Sequence, residues 1–309
     1  MTFKEYIKSR GESINSISKK MGLPYSTLHD CIENPKHMKL ENVKKASRLF
    51  GVSIEFLASL LDPEDTSLLS HLKDQQKSGC QDCLYSESQV LFTYHNNAIE
   101  GNKLTLKDVN EMYLSNTLSF GSGIIDIDDI IEIVNSFYLF DEMLKTADFY
   151  LTIDMIDRYH HIFLNGTKDA RDTCFVGGYS RLRKNEWEEA SPMPKDKNRA
   201  LRQLVNEYHL LEDIALEDIL NFYVKLLEIN PYEQGTRRIG RLILFKECLM
   251  HQITPFVIEV EDELKYQKSL GDKTTLKLLM INAQNRYNIL LETHLTKSQL
   301  EEILTYNRK

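Results

Sequence analysis

Apolar residues return every three or four positions along most of this chain, and that spacing limits what it can fold into. Clear runs are Ile130, Ile131, Ile133, Val134, Phe137, Tyr138 and Phe140; Ile153, Ile156, Tyr159, Ile162 and Phe163; Leu201, Leu204, Val205, Tyr208 and Leu210; and Ile219, Leu220, Tyr223, Val224, Leu226 and Leu227. This period puts the apolar side chains on one face of a helix; a half-buried strand needs strict two-residue alternation instead. Only 13 Gly and seven Pro punctuate 309 residues, which argues against turn-dense β folds and collagen-like or low-complexity chains. The expectation is a mainly α protein. Cys174 to about Pro194 breaks the pattern with Gly177-Gly178, Trp187 and two prolines, and reads as a loop or small β-hairpin projecting from the helices. No repeat of roughly 20–50 residues appears, so a solenoid is excluded.

Length and charge divide the chain. With 42% hydrophobic residues over 309 positions there is material for about two domains. The net charge of −8 excludes a general polyanion binder, but the charge is uneven. Residues 1–60 hold ten Lys or Arg against six Asp or Glu, a net of +4; the remainder holds 28 against 40, a net of −12. A basic head on an acidic body suggests a head at 1–60, a more polar linker with a connecting helix at 61–88, and a body at 89–309. The five cysteines are odd in number and irregularly spaced, so a disulfide framework is not expected, and Cys80-x-x-Cys83 without a second ligand pair reads as two free thiols. The N-terminus lacks the apolar core of a signal peptide, and no stretch approaches the ~18 apolar residues of a membrane span. The expected location is cytoplasmic, with no membrane partner.

In the head, Ser13 precedes Ile14, Ile17 and Met21, an N-cap followed by a helical apolar stripe. Gly22-Leu23-Pro24 breaks that helix, and Pro24 opens a second one carrying Leu28, Cys31 and Ile32. Leu40, Val43, Ala46, Leu49 and Phe50 form another, closed by Gly51. Two short helices across a Gly-containing turn, within a bundle of about five, read as helix-turn-helix. Ile17 to Leu23, Ser26-Thr27-Leu28 and Ala46 to Ile54 resemble the Xre/Cro repressor-type DNA-binding domain. On that reading Tyr25, Ser26, Thr27 and His29 face base edges, while Lys19 and Lys20, with Lys36, Lys39, Lys44 and Lys45, meet phosphates. The second helix lacks Arg, Lys, Gln or Asn before Asn34 and carries Asp30, so the strong bidentate base readers are missing. The competing reading is a small helical protein–protein module.

In the body, Asn230-Pro231-Tyr232-Glu233-Gln234-Gly235-Thr236-Arg237-Arg238-Ile239-Gly240-Arg241 stands out. One helix ends near Asn230, and a loop with Gly235 precedes the next. Three arginines within five residues at a helix start, inside a body of net charge −12, favour an anion site over a solvated turn.

This stretch resembles the signature of the Fic (Fido) family, His-x-Phe-x-Asp/Glu-Gly-Asn-Gly-Arg-x-x-Arg, at Pro231, Tyr232, Gly235, Arg238 and Arg241. Ile99 to Leu106 resembles the family's inhibitory helix, near 92–101, and its "LTLxE" entry. Glu132 to Asn135 resembles the next core helix, Gly177 to Arg181 the flap hairpin that holds the target segment, and Thr254 to Ile258 the strand-like element after the motif helix. The resemblance covers about residues 90–290 and implies an all-α Fic core with a small β-hairpin flap. It also implies AMP transfer from ATP to a protein hydroxyl. The motif His would be the general base, the acidic residue would hold Mg²⁺, and the loop and arginines Gly235, Thr236, Arg237, Arg238 and Arg241 would take the phosphates. Glu100 would be the self-inhibiting partner of Arg241.

The chain departs from that signature where the chemistry resides. Asn230 stands at the His position, and an amide is no useful proton acceptor. Gln234 stands at the metal-ligand position and offers no charge to a hard cation. Thr236 and Arg237 replace Asn-Gly, and Asn96 replaces the Ser or Thr of the inhibitory motif. Loss of a general base removes a factor of ~10²–10⁴. The leading expectation is a DNA-binding regulatory protein with a catalytically degenerate Fic domain, in which ATP binding is conceivable and Mg²⁺ binding doubtful. The alternatives are an active transferase held in check by Glu100, with Glu233 as stand-in base or ligand, and a partner-binding module. A protein target at the flap and a homodimer are admitted. His160, His161 and His209 read as packing or surface histidines.

Overall fold

The computed structural model describes residues 3–33, 38–61, 67–119, 124–172, 196–232 and 234–306. The head is five short helices: α1 (Phe3–Ser9), α2 (Ile14–Met21), α3 (Tyr25–Glu33), α4 (Leu40–Phe50) and α5 (Ile54–Leu61). Ser13 caps α2 by accepting the Ser16 amide at 3.2 Å, and Gly22 ends it in the left-handed region at φ 64°. That residue turns the chain sharply enough for α3 to cross α2. Ile17, Met21, Leu28, Cys31, Ile32, Val43 and Phe50 share one core with Phe3, Tyr6 and Leu57.

The body carries α6 (Leu68–Ser78), α7 (Leu84–Ala98), α8 (Leu106–Ser115), α9 (Ile127–Thr146), α10 (Ile153–Leu164), α11 (Lys168–Asp172), α12 (Lys197–His209), α13 (Leu216–Ile229), α14 (Thr236–Met250), α15 (Glu263–Ser269), α16 (Lys273–His294) and α17 (Lys297–Tyr306). Helices α9, α10, α12 and α13 fall on the periodic runs, and the mainly α expectation holds. The 61–88 segment contains α6, whose Leu68, Leu69 and Leu72 are buried in the body's main core. The free thiols Cys80 and Cys83 follow it. The stretch from Thr254 to Ile258 has no regular secondary structure, forms no ladder among the described residues, and buries Phe256 and Ile258. The hairpin expected at 174–194 lies outside the described residues.

Every residue of α14 except Arg237 is buried, so this helix is the axis of the body. Its close contact with α13 is set by Gly240: a Cβ there would stand 2.6 Å from a ring carbon of Tyr223. Two charges travel with it into the core. Lys246 is 0% exposed, and its ammonium donates to Glu247 Oε1 and to the Phe149 carbonyl, both at 2.7 Å. Glu247 in turn accepts from the Tyr208 hydroxyl at 3.0 Å. Burial alone would raise the Glu247 pKa, but Lys246 and His251 outweigh it and pull the carboxyl down to about 2.

Lys246 thereby fixes the segment on which the head rests. Phe149 forms an isolated antiparallel bridge with Val52; Ser53 donates to the Asp148 carbonyl at 2.9 Å and Tyr150 to the Gly51 carbonyl at 3.0 Å. The Phe149 ring packs into the head core beside Phe56, with centroids 6.0 Å apart, and Arg48 meets Glu212 at 3.0 Å. Removing one member of a buried pair leaves an uncompensated charge, whereas removing both is far less costly. Lys246→Met is expected to lower stability to urea by about 3–5 kcal/mol, and Lys246→Met with Glu247→Leu to recover much of it, measured by equilibrium denaturation followed by circular dichroism.

Candidate functional site

The basic stretch folds as the joint between α13 and α14. Asn230 closes α13 in the left-handed region, φ 43°, a conformation asparagine tolerates better than most residues. Its amide donates to Leu226 O at 3.0 Å and its carbonyl accepts from Lys197 Nζ at 2.7 Å. Tyr232 turns inward, 1% exposed; its amide donates to Thr236 Oγ1 at 3.2 Å and its hydroxyl to Asp157 at 2.5 Å. Gly235 then starts α14 at φ 84°, and a Cβ there would meet the Phe163 ring at 3.2 Å. Both the conformation and the space favour glycine. Glu233 lies outside the described residues.

His160, on α10, props this loop from beneath. Its ring stacks on Tyr232 with centroids 3.8 Å apart and planes 7° from parallel, and Nε2 bonds the Gln234 carbonyl at 2.9 Å. Burial pushes its pKa down to about 4, so at neutral pH it is an uncharged donor to that carbonyl. It is a supporting residue enclosed by the protein, as its apolar periodicity suggested. Its partnership with a loop 74 positions away left no trace in the spacing.

The arginines divide by burial. Arg237 is exposed and has no ion pair among the described residues. Arg238 is 8% exposed, lies over the Phe163 ring with its guanidinium carbon 4.4 Å from the centroid, and donates to Glu132 Oε2 at 2.6 Å. Its Nε is buried with no acceptor among the described residues. Arg241 is 4% exposed and fully engaged: Nε donates to Asn96 Oδ1 at 2.6 Å, Nη2 to the Asn96 carbonyl at 3.0 Å, and Nη1 to Glu100 at 2.9 Å and Tyr266 at 3.4 Å. Glu100 lies just past Ile99, the C-cap of α7, so Asn96 and Glu100 reach Arg241 together from one helix end. Asn97 Nδ2 bonds Ser136 at 2.9 Å and so ties the same turn to α9. Glu132, Asn97 and Tyr266 are site residues that loop composition could not reveal. They lie 106, 141 and 25 positions from the arginines they contact.

The structure thus brings Glu100, Arg238, Arg241, Thr236 and Gly235 together, with Asn230 and Gln234 on the loop above them. The group does not fit a metal-bound triphosphate as it stands. Both buried guanidiniums are already matched by carboxylates, the side chains at 230 and 234 carry no charge, and no cluster of three His, Cys, Asp or Glu suited to a metal occurs among the described residues.

No family model matches the chain. It is 23% identical over 189 residues, 60% of its length, to the protein adenylyltransferase Fic of Nematostella vectensis, and it spans less than half of that protein, 43%. Among solved structures it is similar to Fic-1 (residues 134–508) of C. elegans, with a TM-score of 0.56 and 16% identity over 94% of this chain and 96% of that one. It is also similar to a Fic domain containing signaling protein of Bacteroides thetaiotaomicron, with a TM-score of 0.53 and 19% identity over 78% and 98%. The chain has the fold of these Fic-domain structures.

The Glu100–Arg241 pair sets an expectation for stability and binding. Glu100 is about a fifth exposed and Arg241 almost wholly buried. Glu100→Gly should therefore cost about 2 kcal/mol, less than a fully buried pair, and lower Tm by several degrees. It should also remove the carboxylate that neutralises Arg241, and we propose that ATP then binds more tightly than to the native chain. Differential scanning fluorimetry and calorimetric titration check the two outcomes.

Proposed function

We propose that this chain is a DNA-binding regulatory protein whose Fic-fold body no longer transfers AMP efficiently and serves as a closed, arginine-anchored module. The observation that carries the reading is the joint above α14. The positions resembling the family's base and metal ligand hold two neutral amides, Asn230 and Gln234, while both buried arginines are neutralised from within by Glu132 and Glu100. Neither amide accepts a proton near neutral pH or supplies charge to Mg²⁺. Glu100 against Arg241 repeats the arrangement implied for self-inhibited members, so here release of the inhibitory contact would uncover an anion site without the base that would use it.

The head supports DNA binding by form and charge. Tyr25, Ser26, Thr27 and His29 are exposed on α3, with Lys19 and Lys20 exposed at the end of α2, while Leu28, Cys31 and Ile32 bury the opposite face of α3. The Tyr25 and His29 rings lie 5.7 Å apart on that exposed face. Some of the positive charge is already paired: Lys20 meets Glu12 at 2.5 Å, Lys45 meets Glu41 at 2.9 Å and Lys4 meets Glu33 at 2.7 Å. Contacts dominated by lysine and phosphate are strongly salt-dependent and read sequence weakly.

Two experiments test the reading. Incubation with α-³²P-ATP and Mg²⁺ or Mn²⁺ should leave the native chain and added proteins essentially unlabelled, and Glu100→Gly should not switch labelling on. Robust native labelling abolished by Arg238→Ala would replace the degenerate reading with an active transferase, which the likeness to an adenylyltransferase favours. Separately, the full chain should retain duplex DNA at low salt. Its affinity should fall roughly 10- to 1,000-fold between 50 and 200 mM salt, and Lys19→Ala with Lys20→Ala should weaken all sequences alike. No retention at low salt would leave the head as a protein-binding module.

A further inference from the structure

A second recess, of about 500 Å³, opens between α6, α7, α8 and α9, and none of its lining residues belongs to the α13–α14 joint. Its walls are aromatic, including Tyr113, Phe137 and the exposed Tyr138, and Asp141 lies among them. Three neutral donors hold one oxygen of that carboxylate: Oδ1 accepts from Gln76 Nε2 and Gln89 Nε2, each at 3.0 Å, and from the Tyr85 hydroxyl. Among the described residues no donor reaches Oδ2, and no Lys, Arg or His lies within ion-pair distance of Asp141. Gln89 is 1% exposed and is itself fixed by a 2.9 Å bond from Nε2 to the Phe137 carbonyl, while its Oε1, in the same wall, has no donor.

A buried polar network is costly unless satisfied. In this one two acceptors have no donor among the described residues, the buried Gln89 Oε1 and Oδ2 of the half-buried Asp141 carboxylate, next to aromatic faces that attract cations. An anion would meet Asp141 with no compensating base among the lining residues, and a hard metal would find a single carboxylate where it needs several oxygens. We propose that this recess is a binding site for a small organic cation, its ammonium on Asp141 Oδ2 and its carbon stem among Tyr113, Phe137 and Tyr138. The volume is that of pockets that enclose whole small ligands, roughly 300–1,000 Å³. It is larger than one lysine tail requires, so the occupant is a free amine and not a side chain of a partner protein.

The test is calorimetric titration of the full chain with phenethylamine and with its neutral isostere 2-phenylethanol. Methyl NMR of Met112 and Ile130, which line the recess, reports where the ligand sits. Saturable binding of the amine is expected, with shifts at those two methyls and at least tenfold weaker binding of the alcohol. Asp141→Asn should weaken the amine at least tenfold while leaving the alcohol unchanged. Tyr138→Ala, at a side chain already 65% exposed, should weaken it about threefold without altering the fold, and this variant decides the matter if Asp141→Asn does not fold. Equal binding of amine and alcohol, native affinity in a folded Asp141→Asn, shifts confined to methyls elsewhere, or no binding at millimolar amine would overturn the proposal.

Discussion

The body depends on how a guanidinium can be stored where water cannot reach it. Arg241 brings a permanent charge into the centre of the fold, and an isolated buried charge would cost far more than the marginal stability of a domain. The surrounding elements supply what that charge needs. The end of α7 gives a carboxamide, a main-chain carbonyl and a carboxylate, and α15 gives the Tyr266 hydroxyl and ring face. Burial works against the Arg241 charge, but Tyr266, Tyr223 and Glu100 outweigh it and hold its pKa above the ordinary arginine value. One side chain therefore dictates where α7 must end and how α14 and α15 approach it.

The same logic recurs along α14. Arg238 reaches Glu132 on α9, and Lys246 reaches Glu247 and the Phe149 carbonyl. Three buried cations at positions 238, 241 and 246 bind one helix to α7, α9, α15 and the turn after α9. That turn is where the head attaches, through Val52, Ser53 and Gly51. The basic head and α14 are thus joined by a short chain of contacts that runs through a buried lysine. A charge pattern that looked like a phosphate cradle in one dimension is, in three, largely a framework of internal ion pairs made by Arg238 and Arg241, while Arg237 is exposed outside it.

Helices were legible because burial imposes a period. Most apolar residues of the runs at 130–140, 153–163, 201–210 and 219–227 turn inward on a helix, although Tyr138 and Leu210 end up exposed, and the caps Ser13, Gly22 and Gly51 act where their chemistry placed them. The polar composition near 61–88 suggested a connector, yet Leu68, Leu69 and Leu72 were enough to draw α6 into the main core. Three leucines on one face outweigh the polar residues of the other, which composition averages away.

The helical class, the basic head, the loop with its three arginines and the neutral amides at 230 and 234 can all be read along the chain. Each is a property of residue type and local spacing. What the arginines face was settled by packing across the fold. Glu132 and Glu100 lie 106 and 141 positions from their partners, and Asp141 gathers Gln76, Tyr85 and Gln89 from two other helices. Those pairings arise because a buried charge or polar atom must find a partner across the packed interior, and nothing in local spacing says which distant residue packing will deliver.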